Sequence, residues 1–600
     1  MSVDTLRADH LSSYEATANQ TPHMDRLAAE GVLYENVSTV APTTLPAHAS
    51  LFTGLTPLGH GVHDNVGFYL EDRFETLASH LKAQGYGTAA FVGAFVLDSR
   101  FGLDRGFDVY DDDFEDQAED GFVAQRRGEE VLGRALGWLE SRESPFFAFL
   151  HFYDPHTPYE GGDYRSEVAY VDSLVGRLLT WLDEKDLSRR TVVALVADHG
   201  ESLGEHGEDT HGLFLYQSTL RIPFLLRYPG GPAGTRIASR ASIVDVVPKL
   251  LEILRLPAMI EVAADSRFYA ETHLPRLHYG WSELRSLTRW PHKLVLAPRP
   301  ELYDLSNDPM EAKNIVEDFP DVAKALRAEL EALVLSPAAP QPIERATRQK
   351  LESLGYAGGR AQPEEGPLPD PKDRLEVYRV LNDPAIQALR PGDGATFEKA
   401  LADLKEILAR EPGIPRTYVL YGELLLEANR APEAAEVFGK LSALDEESFD
   451  GHYGLGVALQ RLGREEEARE AFGKALEIDP RNTKTHLRIA EVDPDEAEGW
   501  LRRALDVHED RVIVDRLAEL LLRTGRGPEA RGLLEEVARE RPDDGLAAYN
   551  LGQFLLLDGQ TELALKELLR ARELASEDPD VHQALGNALA ALGRREEAVA

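Results

Sequence analysis

The sequence predicts an α/β domain built on a mostly parallel sheet with helices on both faces, followed by an all-α solenoid of helical repeats. Three observations carry this expectation. Through residue 335, continuous apolar runs alternate with helix-period patterns. Strands that are apolar on both faces belong to buried parallel sheet. Beyond residue 382, small residues recur with a fixed spacing, which is how stacked repeats announce themselves. The intervening 336–382 is rich in Pro, Gly and charge (SPAAPQP, then AGGRAQPEEGPLPDPKD) and reads as a linker. The expected domains are therefore 1–335, a linker 336–382, and 383–600. A division is required in any case, because single cores stop growing at roughly 250–300 residues.

Each element follows from local pattern. TPHMDRLAAEG reads as a helix, with Thr21 as its cap, Pro22 in its first turn and Gly31 at its end. FETLASHLKAQGYGTAAFVGA reads as helix, turn and strand, and EEVLGRALGWLESR as a helix leading into the strand PFFAFLHFYD. SEVAYVDSLVGRLLTWLDEK is a strongly periodic helix, and TVVALVADHG is a buried strand running into a loop. Ligands of such sheets bind at the carboxyl ends of strands. ADHG and FYDPH are expected there.

In the C-terminal part, Gly422, Gly456, Gly552 and Gly586 share one frame, with Ala518 in the same role. The steps 422 to 456, 518 to 552 and 552 to 586 are each 34 residues. Ala434, Ala468, Ala530, Ala564 and Ala598 follow at a constant offset, Phe438 and Phe472 come next, and Pro480 and Pro542 close their units. This pattern resembles the tetratricopeptide repeat, a helix-turn-helix unit whose small residues let its two helices approach. Two units deviate. Residues 484–510 are about five short of the period, and 383–416 match only in the second helix, through Ala400, Leu404 and Pro412. Such arrays form a concave groove for a protein or peptide partner.

Composition narrows the function. Acidic residues number 104 against 65 basic ones, a net charge of −39, which repels phosphate backbones and argues against nucleic acid. An anionic substrate then needs a local cationic pocket. No cysteine is present, so disulfides and thiolate metal sites are excluded. No apolar run approaches the ~20 residues of a membrane helix, and residues 1–30 lack the pattern of a signal peptide. The chain opens on SVDTLRADH with no apolar strand ahead of Asp4 and closes at Ala600 inside a helical pattern. Both ends are expected to be cut.

Three segments hold the polar residues that a buried site needs: Asp4 to His10, Thr43 to Gly54, and Asp198 to Gly207. Asp4 is expected after the first strand, and Asp198 and His199 after a later one. Carboxylates at strand ends require a cation or hydrogen bonds to stay charged. Two Asp and one His suit Mn or Zn better than Ca or Mg. A hydroxyl beside such a divalent metal is more readily deprotonated and becomes a nucleophile.

VDTLRADHL, TLPAHASLFTG and ADHGESLGEHG, in that order, resemble the sulfatase branch of the alkaline-phosphatase superfamily. TPHMDRLAAEG, RIPFLLRYPG (221–230) and ELYDLSNDPMEAKNI (301–315) extend the resemblance over about residues 1–335. It implies an alkaline-phosphatase-like fold and a hydrolase of sulfuric or phosphoric esters. It implies Asp4, Asp198, His199 and Thr44 as metal ligands, with Thr44 as nucleophile, because Pro46 and His48 follow it where the family signature has Pro and Arg. By the same resemblance His156 and His211 contact the ester anion or leaving group, while His48, Asn65 and Arg7 are candidates for binding it. His48 is balanced between that and packing, and Glu201 between orienting His199 and no role. Asp154, His156 and His211 form a possible second metal trio.

The departures shape the expected chemistry. True sulfatases oxidise a Cys or Ser to formylglycine, and Thr44 cannot become an aldehyde. Their Lys-x-His segment is missing, since 92–98 read VGAFVLD; their second Asp is Thr5 and their Asn is His199. The stretch 257–270 is short. The set looks more like phosphate-ester members, including phosphoglycerol transferases. In the expected reaction the Thr44 oxygen attacks phosphorus or sulfur in line. His156 or His211 serves the leaving oxygen, and water or an acceptor alcohol releases the Thr44 ester. A phospho-group transferase and a non-catalytic repeat scaffold are the alternatives. The resemblance implies an extracytoplasmic enzyme.

Overall fold

The computed structural model describes residues 1–15, 20–114, 124–142, 145–260, 267–333, 340–341, 343–344, 347–348, 350–351, 354, 361, 367–507, 511–574, 579–594 and 598. The chain divides into two compact units. The first holds Met1–Asn382 with Glu411–Ile414, and the second holds Asp383–Arg410 with Pro415–Ala600.

The first unit opens with β1 (Ser2–Val3), α1 (Pro22–Glu30), β2 (Val32–Ser38), α2 (Thr44–Thr53), α3 (Pro57–His60), α4 (Leu77–Ala83), β3 (Gly87–Phe91) and β4 (Val109–Asp111). Next come α5 (Gly128–Glu140), β5 (Phe146–Phe152), α6 (Tyr164–Glu184), β6 (Val193–Ala197), α7 (Gln217–Leu220), β7 (Arg221–Arg227), β8 (Thr235–Ile237), β9 (Ala241–Ser242) and α8 (Val246–Leu254). These strands form one sheet in the order β4-β3-β5-β1-β6-β7-β2-β8, with β9 also pairing β2. Only β7 runs antiparallel to its neighbours β6 and β2. Helices α1, α5 and α6 pack with one another, as do α2, α4 and α8, so the sheet is a filling between two helical layers. Its core is a single cluster that includes Val3, Leu45, Phe52, Ala89, Phe152, Val168, Val196 and Leu225.

A second, smaller sheet is antiparallel throughout: β10 (Arg267–Thr272), β11 (Leu284–Arg289), β12 (His292–Leu296) and β13 (Glu301–Asp304), in that order. Helix α9 (Leu274–Tyr279) lies between β10 and β11 in sequence. Helix α10 (Pro320–Ala332) covers this sheet through Leu326 and Leu330, against Tyr269, Leu287, Leu294 and Leu302.

One local expectation fails. Thr21 precedes α1 but makes no capping bond to it. Its hydroxyl instead meets Ser12 Oγ at 2.9 Å. The cap is tertiary: the Asp172 carboxylate of α6 accepts from the amides of His23 (3.2 Å) and Met24 (2.8 Å). A buried carboxylate at the positive helix end serves both groups. Gly31 does end the helix, and it allows a close approach, because a Cβ there would sit 2.4 Å from Leu226 O.

Of the segment expected as linker, much lies outside the described residues. Pro371–Arg374 forms a 3-10 turn and Leu375–Asn382 a helix, both within the first unit. In the short stretch 257–270, residues 261–266 lie outside the described ones.

The second unit is helical throughout its described residues. Helices of 13 and 14 residues alternate, as in Phe449–Arg461 with Glu465–Ile478. The short unit is built from helices of 10 and 11 residues, Thr483–Val492 and Ala497–Val507. The small-residue frame works by contact: a Cβ on Gly422 would lie 2.4 Å from the Phe438 ring, and one on Gly456 2.6 Å from Phe472.

Candidate active site

Three neighbouring parallel strands deliver the site. Register pairs Ser2 and Val3 of β1 with His151 and Phe152 of β5 on one side, and with Val196 and Ala197 of β6 on the other. Asp4, Asp154 and the Asp198–His199 pair therefore leave the sheet at its carboxyl edge. Thr44 arrives from the same edge as the first residue of α2, with Thr43 extended before it. A helix N-terminus carries a partial positive charge, which favours an anion.

The side chains converge in a buried pocket. Thr44 Oγ1 lies 3.4 Å from Asp4 Oδ2 and 3.4 Å from His199 Nε2. His199 Nε2 is 3.4 Å from Asp198 Oδ2 and 3.8 Å from Asp4 Oδ1. The candidate ligand atoms of Asp4, Asp198 and His199 all lie within 4.8 Å of one another, and all three residues are buried. His199 Nδ1 donates to Gly200 O at 2.9 Å, which leaves the Nε2 lone pair facing the carboxylates. Asp198 Oδ1 accepts from the amides of His199 (2.8 Å) and Thr5 (3.3 Å). Thr5 takes a left-handed φ of 54° to present that amide, a strain typical of functional loops.

Asp4 Oδ1 and Asp198 Oδ2 have no hydrogen-bond partner. Burial pushes Asp4 up to about 7, against the pull of His199 and the Thr44 hydroxyl. Burial and the charge of Asp4 also raise Asp198. Two buried carboxylates with orphaned oxygens, a lone pair on His199 Nε2 and a hydroxyl in the same space fit a divalent cation. Among the described residues, these groups are where such an ion would be held.

His156 and His211 flank this centre. The His211 ring lies 4.5 Å from His199 and 5.0 Å from His156. His156 stacks on Tyr153 at 4.3 Å. Burial holds the His156 ring down to about 3 and His211 well below the ordinary imidazole value. Glu201 Oε1 meets His211 Nδ1 at 3.0 Å. Glu201 thus positions His211 and not His199, whose Nδ1 is already taken by Gly200 O.

Asn65 Oδ1 accepts from the amide of Leu45 at 2.8 Å, one residue past Thr44, and its Nδ2 is buried without a partner. A cavity of about 220 Å³ runs from His156 past Asp154 to Arg126 and Arg127. Its two arginines face Asp113, Glu130, Asp154 and Glu160 in the same lining, and they pair with Asp111 and Asp154.

Other expectations are redirected. His48 is fully buried: its Nδ1 donates to Thr44 O at 2.8 Å, and its Nε2 pairs with Ser2 Oγ at 2.9 Å. It braces the helix start from below and touches no open space. The Arg7 guanidinium is committed to Asp9 (2.8 Å), Glu205 (2.7 Å) and Glu201 O (3.0 Å), so its charge is spent. The trio Asp154, His156 and His211 does not gather as metal ligands. Asp154 turns away, to Arg127 at 2.6 Å and the Gly128 amide at 2.9 Å. Conversely, His151 escaped the sequence reading. Its Nε2 sits 3.3 Å from Asp4 Oδ2 and its ring 4.9 Å from His48. The signal was there: a histidine inside the otherwise apolar strand PFFAFLHF.

Comparison with known proteins assigns matches to both parts of the chain. The sulfatase family model matches residues 2–256, and tetratricopeptide-repeat models match 394–446, 449–482 and 516–579. Arylsulfatase K of Homo sapiens is 25% identical over 212 residues, which is 31% of this chain and 39% of that protein. An ulvan-active sulfatase of Formosa agariphila is 26% identical over 304 residues, 40% of this chain and 58% of its own. The matches thus span well under two thirds of these relatives. A phosphonate monoester hydrolase structure from Agrobacterium radiobacter superposes with a TM-score of 0.47 at 22% identity, covering 55% of this chain and 94% of that one. Residues 2–256 are thus a sulfatase-family domain, and a run of tetratricopeptide repeats follows them.

Proposed function

We propose that the N-terminal domain is a metal-dependent hydrolase of sulfuric or phosphoric esters with Thr44 as its nucleophile. The observation that carries this reading is the Thr44 hydroxyl, 3.4 Å from both Asp4 Oδ2 and His199 Nε2 at the start of α2. A divalent cation held by Asp4, Asp198, His199 and Thr44 Oγ1 would neutralise the paired carboxylates and lower the pKa of the hydroxyl. Thr44 Oγ1 attacks sulfur or phosphorus in line, its hydrogen bond directed at Asp4 Oδ2. The bond to the ester oxygen breaks, and the proton released by the Thr44 hydroxyl is relayed through His156 or His211 to that oxygen, which leaves as an alcohol. Asn65 Nδ2 receives an equatorial oxygen. Glu201 holds the His211 ring. Water then cleaves the Thr44 ester and releases the inorganic anion.

The sulfatase-family match favours sulfate, whereas a threonine with two Asp and one His favours phosphate. The repeats supply a docking surface for a protein or peptide. No helix among the described residues is long and apolar enough to cross a membrane. The test is hydrolysis of p-nitrophenyl sulfate, phosphate monoester and phosphodiester with Mn, Zn, Ca or chelator, by wild type and Thr44→Ala. Metal-dependent turnover abolished by Thr44→Ala supports the reading, and the preferred ester settles the class. Metal-dependent turnover that survives Thr44→Ala overturns the nucleophile. Absence of both turnover and metal binding overturns the enzyme.

A further inference from the structure

A second cluster of metal-ligating type lies outside the centre just described. His63, Glu271 and His273 each offer one ligand atom, and these atoms lie within 4.8 Å of one another. His63 and Glu271 are almost wholly buried, and the His273 side chain is 13% exposed. His63 Nδ1 stands 2.5 Å from Glu271 Oε1, and His273 Nε2 stands 3.6 Å from the same oxygen. We propose that His63, Glu271 and His273 form a separate binding site for a zinc-class divalent ion. The proposal stands apart from the catalytic reading and shares no ligand with it.

The chemistry of the donors points to this class of ion. Two imidazoles and one carboxylate make a mixed nitrogen–oxygen set, which suits zinc and its neighbours and not calcium or magnesium. Tetrahedral zinc with bonds of about 2.0–2.1 Å separates its ligand atoms by about 3.3 Å. The Glu271–His273 pair already stands near that spacing. The His63–Glu271 pair needs to open by less than about 1 Å. The second oxygen of Glu271 accepts from the Tyr269 hydroxyl two residues earlier on β10, an outer bond of the kind that orients a ligating carboxylate.

Neighbouring groups are engaged elsewhere. His60 Nε2 bonds Ser50 Oγ at 2.8 Å, and its Nδ1 accepts from the Val62 amide at 3.1 Å. Asp64 is paired with His278 at 2.7 Å. The three ligands therefore stand as a set, with a fourth position for water.

The location gives the ion a task. His63 lies in the loop after α3, two residues before Asn65, which receives the Leu45 amide beside Thr44. Glu271 and His273 bracket Thr272, whose hydroxyl donates to Gly212 O, next to His211. An ion here ties the loop that supports the nucleophile to the strand that supports His211, across 208 residues of sequence. Without metal, His63 hydrogen-bonds Glu271 and His273 stands as an ion-pair partner of the same carboxylate, so the test must count ions.

The full chain, stripped with chelator and dialysed against zinc, is analysed for bound metal beside Asp198→Ala, His63→Gln and His273→Gln. Wild type is expected to bind one equivalent more than either histidine variant. Asp198→Ala is expected to keep the equivalent that His273→Gln loses. In the Asp198→Ala protein, zinc is also expected to suppress carbethoxylation of His273 read by mass spectrometry, a measurement that needs no change in this site. Zinc content unchanged in both histidine variants, or His273 modified equally with and without zinc, overturns the proposal. Failure of the catalytic reading looks different: Asp198→Ala then binds as much zinc as wild type.

Discussion

In the first unit the decisive side chains come from segments far apart in sequence, whereas in the second the close contacts join helices adjacent in sequence, within a repeat or between neighbouring ones. Thr44 meets Asp4 across 40 residues and His199 across 155. Gly456 meets Phe472, on the partner helix of its own repeat. The first arrangement buries polar groups at a cost that a reaction can justify. The second buries almost only apolar and small residues, and each repeat leans on its neighbours. Chemistry and scaffolding are thus separated along the chain, and substitutions should sort by unit.

The largest expected effect is at the proposed nucleophile. Thr44→Ala should lower kcat/KM by at least ~10³-fold, and Thr44→Ser should restore it to within about tenfold of wild type. Comparable loss in both variants would mean that the threonine methyl, and not the hydroxyl, matters there. His211→Ala should cost ~10²-fold in kcat, in the range of a group that serves a leaving oxygen. The loss should shrink for a substrate with a better leaving group, such as a nitrophenyl ester against an alkyl one. An equal loss on both would reassign His211 to structure.

The two regions also differed in how far they could be read. The repeats were legible because a period of 34 is a property of sequence alone, and the Gly422 and Gly456 contacts follow from it. The candidate site was legible where a motif fixed it, in that Asp4, Thr44, Asp198 and His199 lie side by side. Roles that depend on which way a side chain turns were not. Arg7 stood beside an acidic centre in sequence and looked ready for an anion, yet Asp9 and Glu205 consume it. Asp154 was adjacent to His156 and looked like a ligand, yet Arg127 draws it off. His48 faces Ser2, not solvent. The cap of α1 comes from Asp172, which no local rule can find. His63, Glu271 and His273 meet only through the packing of the small sheet.

Two smaller effects sharpen the comparison. Gly456→Leu drives a side chain into Phe472, where even a Cβ would stand 2.6 Å away, and overpacking of this kind costs about 1–3 kcal/mol. A lower melting transition with unchanged turnover of a small ester is expected, and a matching loss of turnover would show that the units are not separable. The smallest effect should be that of Glu201→Gln. Burial first, then the charges of Glu208 and Asp4, push the Glu201 carboxyl well above its ordinary range. An amide of the same shape keeps an oxygen at His211 Nδ1, and kcat should fall by only about 3–10-fold with KM unchanged. A fall as deep as that of His211→Ala would instead mean that the carboxyl itself carries a proton during turnover.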